Sequence, residues 1–217
     1  MSNGVMFCFA NCNRENMDPL PLIRVLSLAK FPLPAISYYD GQSKSANEKD
    51  KIEHEEMEPL IREFLDVPSK LDFFKPLEFF SICFYEDPPG LYHGLFRTDC
   101  RSETRNTMER LASVGISFLE FIISLQKAFS SSAFSDIDTN SVEDYLSGKA
   151  NLEDRINLPT IAYGLPDEVG KAMFKNPGNR SWETDIGVVY GHIGFCEGAL
   201  RALSQKPEKG AQEGMSQ

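Results

Sequence analysis

Apolar residues in the first 39 positions come in short runs separated by prolines. The run from Val5 to Phe9 is continuous, which predicts a short buried strand. A second run predicts a short helix from Leu20 to Lys30, which ends before Pro32 and Pro34 because proline cannot continue a helix. Polar and charged residues from Asp40 to Glu58 are typical of a solvated helix face or a linker.

A segment with helical spacing begins at the end of this charged stretch. The apolar positions of the segment are Met57, Leu60, Ile61, Phe64 and Leu65. This pattern predicts a helix that ends near Pro68. From Leu71 to Tyr85 the chain is dense in phenylalanine, and we interpret this segment as helical. It stops at Asp87-Pro88-Pro89-Gly90, which is a strong turn pattern.

The clearest helical pattern extends from Glu103 to Phe129. Its apolar positions, at spacings of three and four residues, are Leu111, Val114, Phe118, Ile122 and Leu125. Between Phe118 and Leu125 the segment is apolar on almost every side. We therefore expect one long helix in the middle of the core.

The C-terminal third is also interpreted as helical. Ser141 and Asp144 resemble a capping box that opens a helix, a second helix is expected from Leu152 to Tyr163, and a turn of helix from Pro166 to Ala172. A last helix is expected to begin near Ser181 and to present one apolar face. That face comprises Ile186, Val189, Tyr190, Ile193, Leu200 and Leu203.

Taken together, these patterns predict an all-α fold. Residues 1–70 form an N-terminal extension with a charged linker, residues 71–205 form the helical domain, and residues 206–217 form a disordered polar tail.

The net charge of the chain limits the classes of partner that the protein is expected to bind. The 217 residues include 22 Lys and Arg against 32 Asp and Glu, a formal net charge of −10. An acidic chain is poorly suited to hold nucleic acid by overall charge, because phosphate binding needs clustered basic side chains. No apolar run approaches the roughly 18 residues of a membrane span. We therefore expect a soluble protein without membrane partners.

Cysteine usage indicates a reducing compartment. The five cysteines are odd in number and irregularly spaced, which is typical of reduced thiols in an intracellular protein. Cys8 and Cys12 form the only close pair, and no further ligands follow at metal-site spacing. We interpret them as small residues on a buried strand. The N-terminus lacks the basic region and apolar core of a secretory signal.

Three segments of the expected helical domain resemble the ribonuclease III endonuclease domain. Residues Glu109 to Phe121 (ERLASVGISFLEF) parallel the family signature N-E-R-L-E-F-L-G-D-A-V-L-E. Ile156 to Leu165 is similar to the family's L-A-x-L-A-x-x-L-G-L helix, and Asp185 to Leu203 to D-V-F-E-A-L-I-G-A-I-Y-L-D-G-G-L. The resemblance covers most of residues 71–205, with the segments in the family's order. It implies a ribonuclease III-like helical domain.

The resemblance does not extend to the catalytic acids. The family binds Mg²⁺ through an E-x3-D pair on the central helix and a D-x2-E pair on the last helix. The first pair falls here on Ala112 and Ile116. Depending on the register, the second pair falls on Thr184 and Gly187 or on Asp185 and Val188.

At most two acidic remnants of that site are left, Glu109 and Asp185. Their charge is too low to hold catalytic Mg²⁺, so the resemblance implies a pseudoenzyme without metal or cofactor. An alternative is a metal-dependent nuclease with rearranged acids that uses Glu109, Glu183 and Asp185.

The resemblance also implies a partner. Family members dimerise through the face that carries the signature helix, which here includes Leu111, Val114 and Phe118. We therefore expect a non-catalytic structural or dimerisation subunit of an RNA-processing, RNA-editing or ribosomal assembly. Its partner would be another ribonuclease III-like chain or ribonucleoprotein subunits, and RNA would be contacted through the complex. A mitochondrial location fits the known degenerate members.

One alternative belongs to another class of protein. This alternative is a helical interaction protein unrelated to ribonuclease III, for example a pathogen factor that binds a host complex, and the acidic charge and the unassigned N-terminal third suit it.

Overall fold

The computed structural model describes residues 4–32, 36–38, 43–44, 54–66, 72–136, 160–175 and 177–192. These ranges form a mixed α/β protein, so the expected all-α fold is wrong. The strands are β1 Met6–Cys12, β2 Ile36–Tyr38, β3 Ser43–Lys44, β4 Asp72–Phe74, β5 Ser81–Glu86, β6 Tyr92–Arg97, β7 Ala133–Ser135, β8 Ile161–Tyr163, β9 Asn179–Thr184 and β10 Gly187–His192. The helices are α1 Leu20–Leu28, α2 His54–Asp66, α3 Arg101–Ser113, α4 Phe118–Phe129 and α5 Asp167–Met173.

All ten strands belong to one antiparallel sheet, in the order β3-β2-β4-β5-β6-β1-β7-β8-β10-β9. The predicted N-terminal strand is confirmed as β1, which lies between β6 and β7. Phe7 and Phe9 are buried on one face of the sheet, and Cys8 and Ala10 are buried on the other. Burial on both faces explains why this strand is continuously apolar instead of alternating.

Four helices cover the face that carries Phe7 and Phe9, hereafter the helical face. α1 packs on α2 and α4, and α3 contacts α4. Side chains from α1 and α2 therefore enter the same core as those from residues 72–136. The fully buried phenylalanines of this core are Phe7, Phe9, Phe64, Phe80, Phe84, Phe96, Phe121, Phe129 and Phe134. The predictions of α1 and α2 are confirmed.

The expected long central helix is wrong, because it is two helices. α3 ends at Ser113, α4 begins at Phe118, and the two axes meet at 95°. Gly115 has a φ of +78°, a conformation that favours glycine and breaks the helix. Ser117 then caps α4: its hydroxyl accepts from the N–H of Glu120 at 3.1 Å, and the Glu120 carboxylate accepts from the N–H of Ser117 at 2.5 Å.

The phenylalanine-rich segment from Phe73 to Tyr85 is not helical either. It forms β4, a turn, and β5. Ile82 and Phe84 lie on the helical face, while Cys83 between them is buried on the opposite face. As in β1, burial on both sides replaces the alternation of a half-exposed strand with a continuous apolar run.

Two further helix predictions are wrong in the described C-terminal residues. Ile161–Tyr163, placed at the end of an expected helix, is β8, and the expected helix beginning near Ser181 is the hairpin of β9 and β10. Residues 152–159, residues 193–203, the Ser141 cap and the tail at 206–217 lie outside the described residues. The turn of helix expected from 166 to 172 is confirmed as α5.

In the part of the chain that the structure describes, no single helix is long and apolar enough to cross a membrane. α3 and α4 meet the length and composition criteria only as a pair, at the 95° bend.

Two leucines of α1 provide a matched test of the core. Leu26 is fully buried, and Leu28 is 61% exposed. We expect Leu26→Ala to lower the free energy of unfolding by about 2–5 kcal/mol, because the substitution leaves a cavity. Leu28→Ala should change it by less than about 0.5 kcal/mol. Equilibrium urea unfolding measures both, and equal losses would contradict the position of α1.

Gly94 on β6 leaves room for an aromatic ring. A Cβ atom at this position would lie 2.6 Å from the ring of Phe129, which itself stacks on Phe84 at a centroid distance of 5.8 Å. We expect Gly94→Ala to destabilise the protein by about 1–3 kcal/mol through overpacking. Combining it with Phe129→Leu should cost less than the sum of the two single changes, as measured by thermal unfolding. Strict additivity would mean that the two residues do not touch.

Candidate functional site: an open sheet edge

The positions expected to correspond to the ribonuclease III acids lie on a different scaffold. Ala112 is in the last turn of α3, and Ile116 is in the loop between α3 and α4. Thr184 and Gly187 flank the loop of the β9–β10 hairpin. Since the second pair lies on strands and not on a helix, the helical fold implied by the resemblance is absent here.

The acidic residues of the expected remnant site have separate partners. The Glu109 side chain is 71% exposed and faces Arg105 at 3.9 Å. Asp185 is 66% exposed and forms an ion pair with Lys127 of α4. Glu183 lies on β9. Within the described ranges, no three His, Cys, Asp or Glu side chains are grouped closely enough to hold a metal ion.

The three residues expected at a dimer interface differ in exposure. Leu111 is fully buried and Phe118 is 4% exposed, so both belong to the core of this chain. The Phe118 ring contacts Phe7 and Phe96 at centroid distances of 5.7 and 5.8 Å. Val114 is 41% exposed and is the member of the three that faces solvent.

The described cysteines do not converge on a reactive centre. Cys8 and Cys12 are buried on β1 as expected, and burial raises the pKa of the Cys12 thiol above its usual range. Cys100 precedes α3, and its pKa is lowered mainly by the Ser102 hydroxyl, 3.0 Å from the sulfur. No disulfide involves Cys8, Cys12, Cys83 or Cys100.

The two ends of the sheet are unlike each other. Within the described ranges, β3 ends one side with two residues. β9 ends the other side with six, from Asn179 to Thr184, and Arg180, Ser181 and Glu183 are exposed. Short edge strands offer little template for pairing, whereas a long exposed edge offers a row of backbone groups. β9 is therefore the candidate binding site.

The loop of the hairpin fixes which backbone groups of β9 face outward. β9 and β10 are joined by Asp185 and Ile186, and Thr184 pairs with Gly187. Residues that flank a two-residue loop exchange both backbone hydrogen bonds, and along an antiparallel ladder such pairs alternate with pairs that exchange none. Counting from Thr184, the residues whose N–H and C=O groups point away from β10 are Asn179, Ser181 and Glu183. No described strand pairs with β9 on that side.

The side chains of β9 alternate between the two faces of the sheet. Trp182 is opposite Val189 and packs against the phenylalanine core, so it lies on the helical face together with Arg180. Ser181 and Glu183 lie on the opposite face, beside Tyr190 and Val188 of β10. The edge thus presents a cation and an indole on one face and a carboxylate on the other.

Three contacts position the hairpin loop. Lys127 of α4 binds Asp185, the Tyr163 hydroxyl donates to the Ile186 carbonyl at 2.8 Å, and the Thr184 hydroxyl donates to the Gly187 carbonyl at 2.7 Å. β9 is therefore tied both to α4 and to β8.

α5 supports the hairpin from the opposite face. The Tyr190 hydroxyl on β10 donates to Asp167 at 2.6 Å, and Lys171 binds the other oxygen of that carboxylate. The pKa of Asp167 is lowered most by the hydrogen bond from Lys171 and next by the hydrogen bond from Tyr190. The hydrogen bond to Asp167, together with burial, raises the pKa of Tyr190 to about 12. A Cβ at Gly170 would lie 2.5 Å from the Tyr190 ring, so glycine allows the helix to approach the sheet this closely.

Comparison with known proteins gives no relative for this chain: no family model, no curated protein and no solved structure matches it.

The contact between α5 and the hairpin should depend on pH. The pKa of Tyr190 is raised from 10.0 to about 12 on folding, so the hydroxyl stabilises the fold fully below pH 10 and loses this contribution between pH 10 and 12. We expect Tyr190→Phe to show a smaller decline in stability across that interval than the unchanged protein. Urea unfolding at several pH values measures the difference. Asp167→Ala should flatten the decline in the same way, and an unaltered pH profile in both variants would contradict the assignment.

Proposed function

We propose that this protein is a binding module that recruits an extended segment of another protein to the edge strand β9. The observation that supports this proposal is the exposed, six-residue edge with the outward backbone groups of Ser181 and Glu183. A peptide that adds to a sheet edge gains affinity from main-chain hydrogen bonds and specificity from alternate side chains.

The geometry of the hairpin favours such a role. β9 has no proline to block pairing, and its loop is fixed by Lys127 and Tyr163. A rigid edge loses little conformational entropy when a segment pairs with it, and pre-organisation of this kind improves affinity. Exposed side chains lie on both faces of β9, with Arg180 on the helical face and Ser181 and Glu183 on the other, so the added strand would be contacted on two sides.

This proposal retains only part of the expectation drawn from ribonuclease III. A non-catalytic binding role is kept as a hypothesis, but the RNA-processing context rested on an all-helical domain, and two of its three segments contain the strands β8 and β10. The alternative of an interaction protein unrelated to ribonuclease III is therefore the one we develop.

The proposal can be tested with a displayed library of random peptides long enough to span β9. We expect enriched peptides to slow amide hydrogen exchange at Ser181 and Glu183, because their N–H groups would then be bonded. Ser181→Pro should abolish binding, since proline removes an outward donor. Ser181→Ala, which keeps the donor, should bind like the unchanged protein.

N-methylated peptides provide a control that leaves the protein unchanged. Methylation of the peptide amides that face β9 should abolish binding, while methylation of the alternate amides should not. Peptides that bind regardless of which amides are methylated, or a library without any binder, would exclude strand addition at this edge.

A further inference from the structure

The charges of β9 lie on different faces of the sheet. Arg180 projects from the helical face, and Glu183, three residues later, projects from the opposite face. Both side chains are exposed. In the residues that the structure describes, neither forms a salt bridge. Opposite charges placed directly across two strands are stabilising, and like charges there are destabilising. A strand added to β9 would therefore be selected by charge on each face.

A second copy of this chain would place no opposite charge across from Arg180 or Glu183. Two edge strands that pair around a two-fold axis continue the sheet and keep each face on its own side. On the helical face a copy would offer Arg180 only another arginine, Trp182 or Thr184, none of which is a carboxylate. On the opposite face it would offer Glu183 only Asn179, Ser181 or another glutamate. Each copy also has a net charge of −10, which adds long-range repulsion.

We infer that β9 binds a segment of a different protein that pairs antiparallel and has a basic residue opposite Glu183 and an acidic residue three positions later, opposite Arg180. This inference rests on the proposed function, and it names the chemistry of the partner. The antiparallel direction follows the rest of the sheet, in which every pair is antiparallel. The position after the basic residue lies opposite Trp182 and takes an apolar side chain, which would cover the exposed part of the indole.

The chain contains one tryptophan, and it is Trp182 in the edge itself. Its fluorescence therefore reports strand addition directly. The probe is a synthetic peptide with the central sequence Lys-Val-Thr-Glu, flanked by alternating threonine and valine. We expect a saturable blue shift as the indole leaves water, and loss of this shift in Ser181→Pro.

Exchanging charges tests the pairing. Replacing the peptide lysine by glutamate should weaken binding about 2- to 10-fold. Glu183→Lys in the protein should restore the affinity for that altered peptide, because the opposite charges then face each other again. Arg180→Glu is the matched control. It changes a charge on the other face, and it should weaken binding of the altered peptide further.

The outcomes separate the two proposals. Binding that needs the Ser181 amide but ignores the peptide charges would overturn the inferred chemistry and leave strand addition standing. Tighter binding of the altered peptide than of the original peptide by the unchanged protein would overturn the antiparallel register, because a parallel strand would place the new glutamate opposite Arg180. Concentration-dependent self-association that Ser181→Pro abolishes would show that the occupant is a second copy, which also overturns the inference. If neither this peptide nor a displayed library binds, the proposed function itself fails.

Discussion

Packing of α4 against the helical face of the sheet is the interaction on which the rest of the structure depends. The ring of Phe118 contacts Phe7 at 5.7 Å at one end of the helix, and Phe129 contacts Phe9 at 5.4 Å at the other. α4 also contacts α1 and α3. Because helices and strands from distant parts of the chain meet along this one element, the layers are fixed relative to each other through it.

The position of the exposed edge strand β9 depends on its connections to that core. Phe134 of β7 stacks on Tyr163 of β8 at 5.4 Å, and β8 pairs with β10, which pairs with β9. The ion pair between Lys127 and Asp185 connects α4 to the tip of the hairpin directly. This ion pair is exposed and contributes little stability by itself. The hydrogen bond from Tyr163 and the packing of Tyr190 beneath α5 do more to hold the edge in place.

Sequence patterns correctly predicted the elements that have an unambiguous pattern of apolar residues. β1 was found because its apolar run is continuous, and α1 and α2 because each buries a single stripe. The break at Gly115 was missed, although Ser117 and Glu120 form a capping box that could have indicated it. In β5 and β10 both faces are partly covered, so their apolar residues lose the period of two that would indicate a strand. The β9 edge could have been found from Trp182 and the Val188-Val189-Tyr190 run on either side of a two-residue loop. That β9 ends the sheet, with no described strand on its outer side, depends on the strand order, which local patterns do not contain.

The central position of β1 also has a consequence for synthesis of the chain. Cys8 pairs with Leu95 on one side and with Ser135 on the other. β1 precedes both partners in the chain, so it stays unpaired until β6 has been synthesised, and its other edge stays bare until β7 follows. Pairings so distant in sequence form slowly, and an apolar strand with bare edges can join other chains during that interval. A chaperone that shields Met6 to Ala10 on the nascent chain would lower that risk.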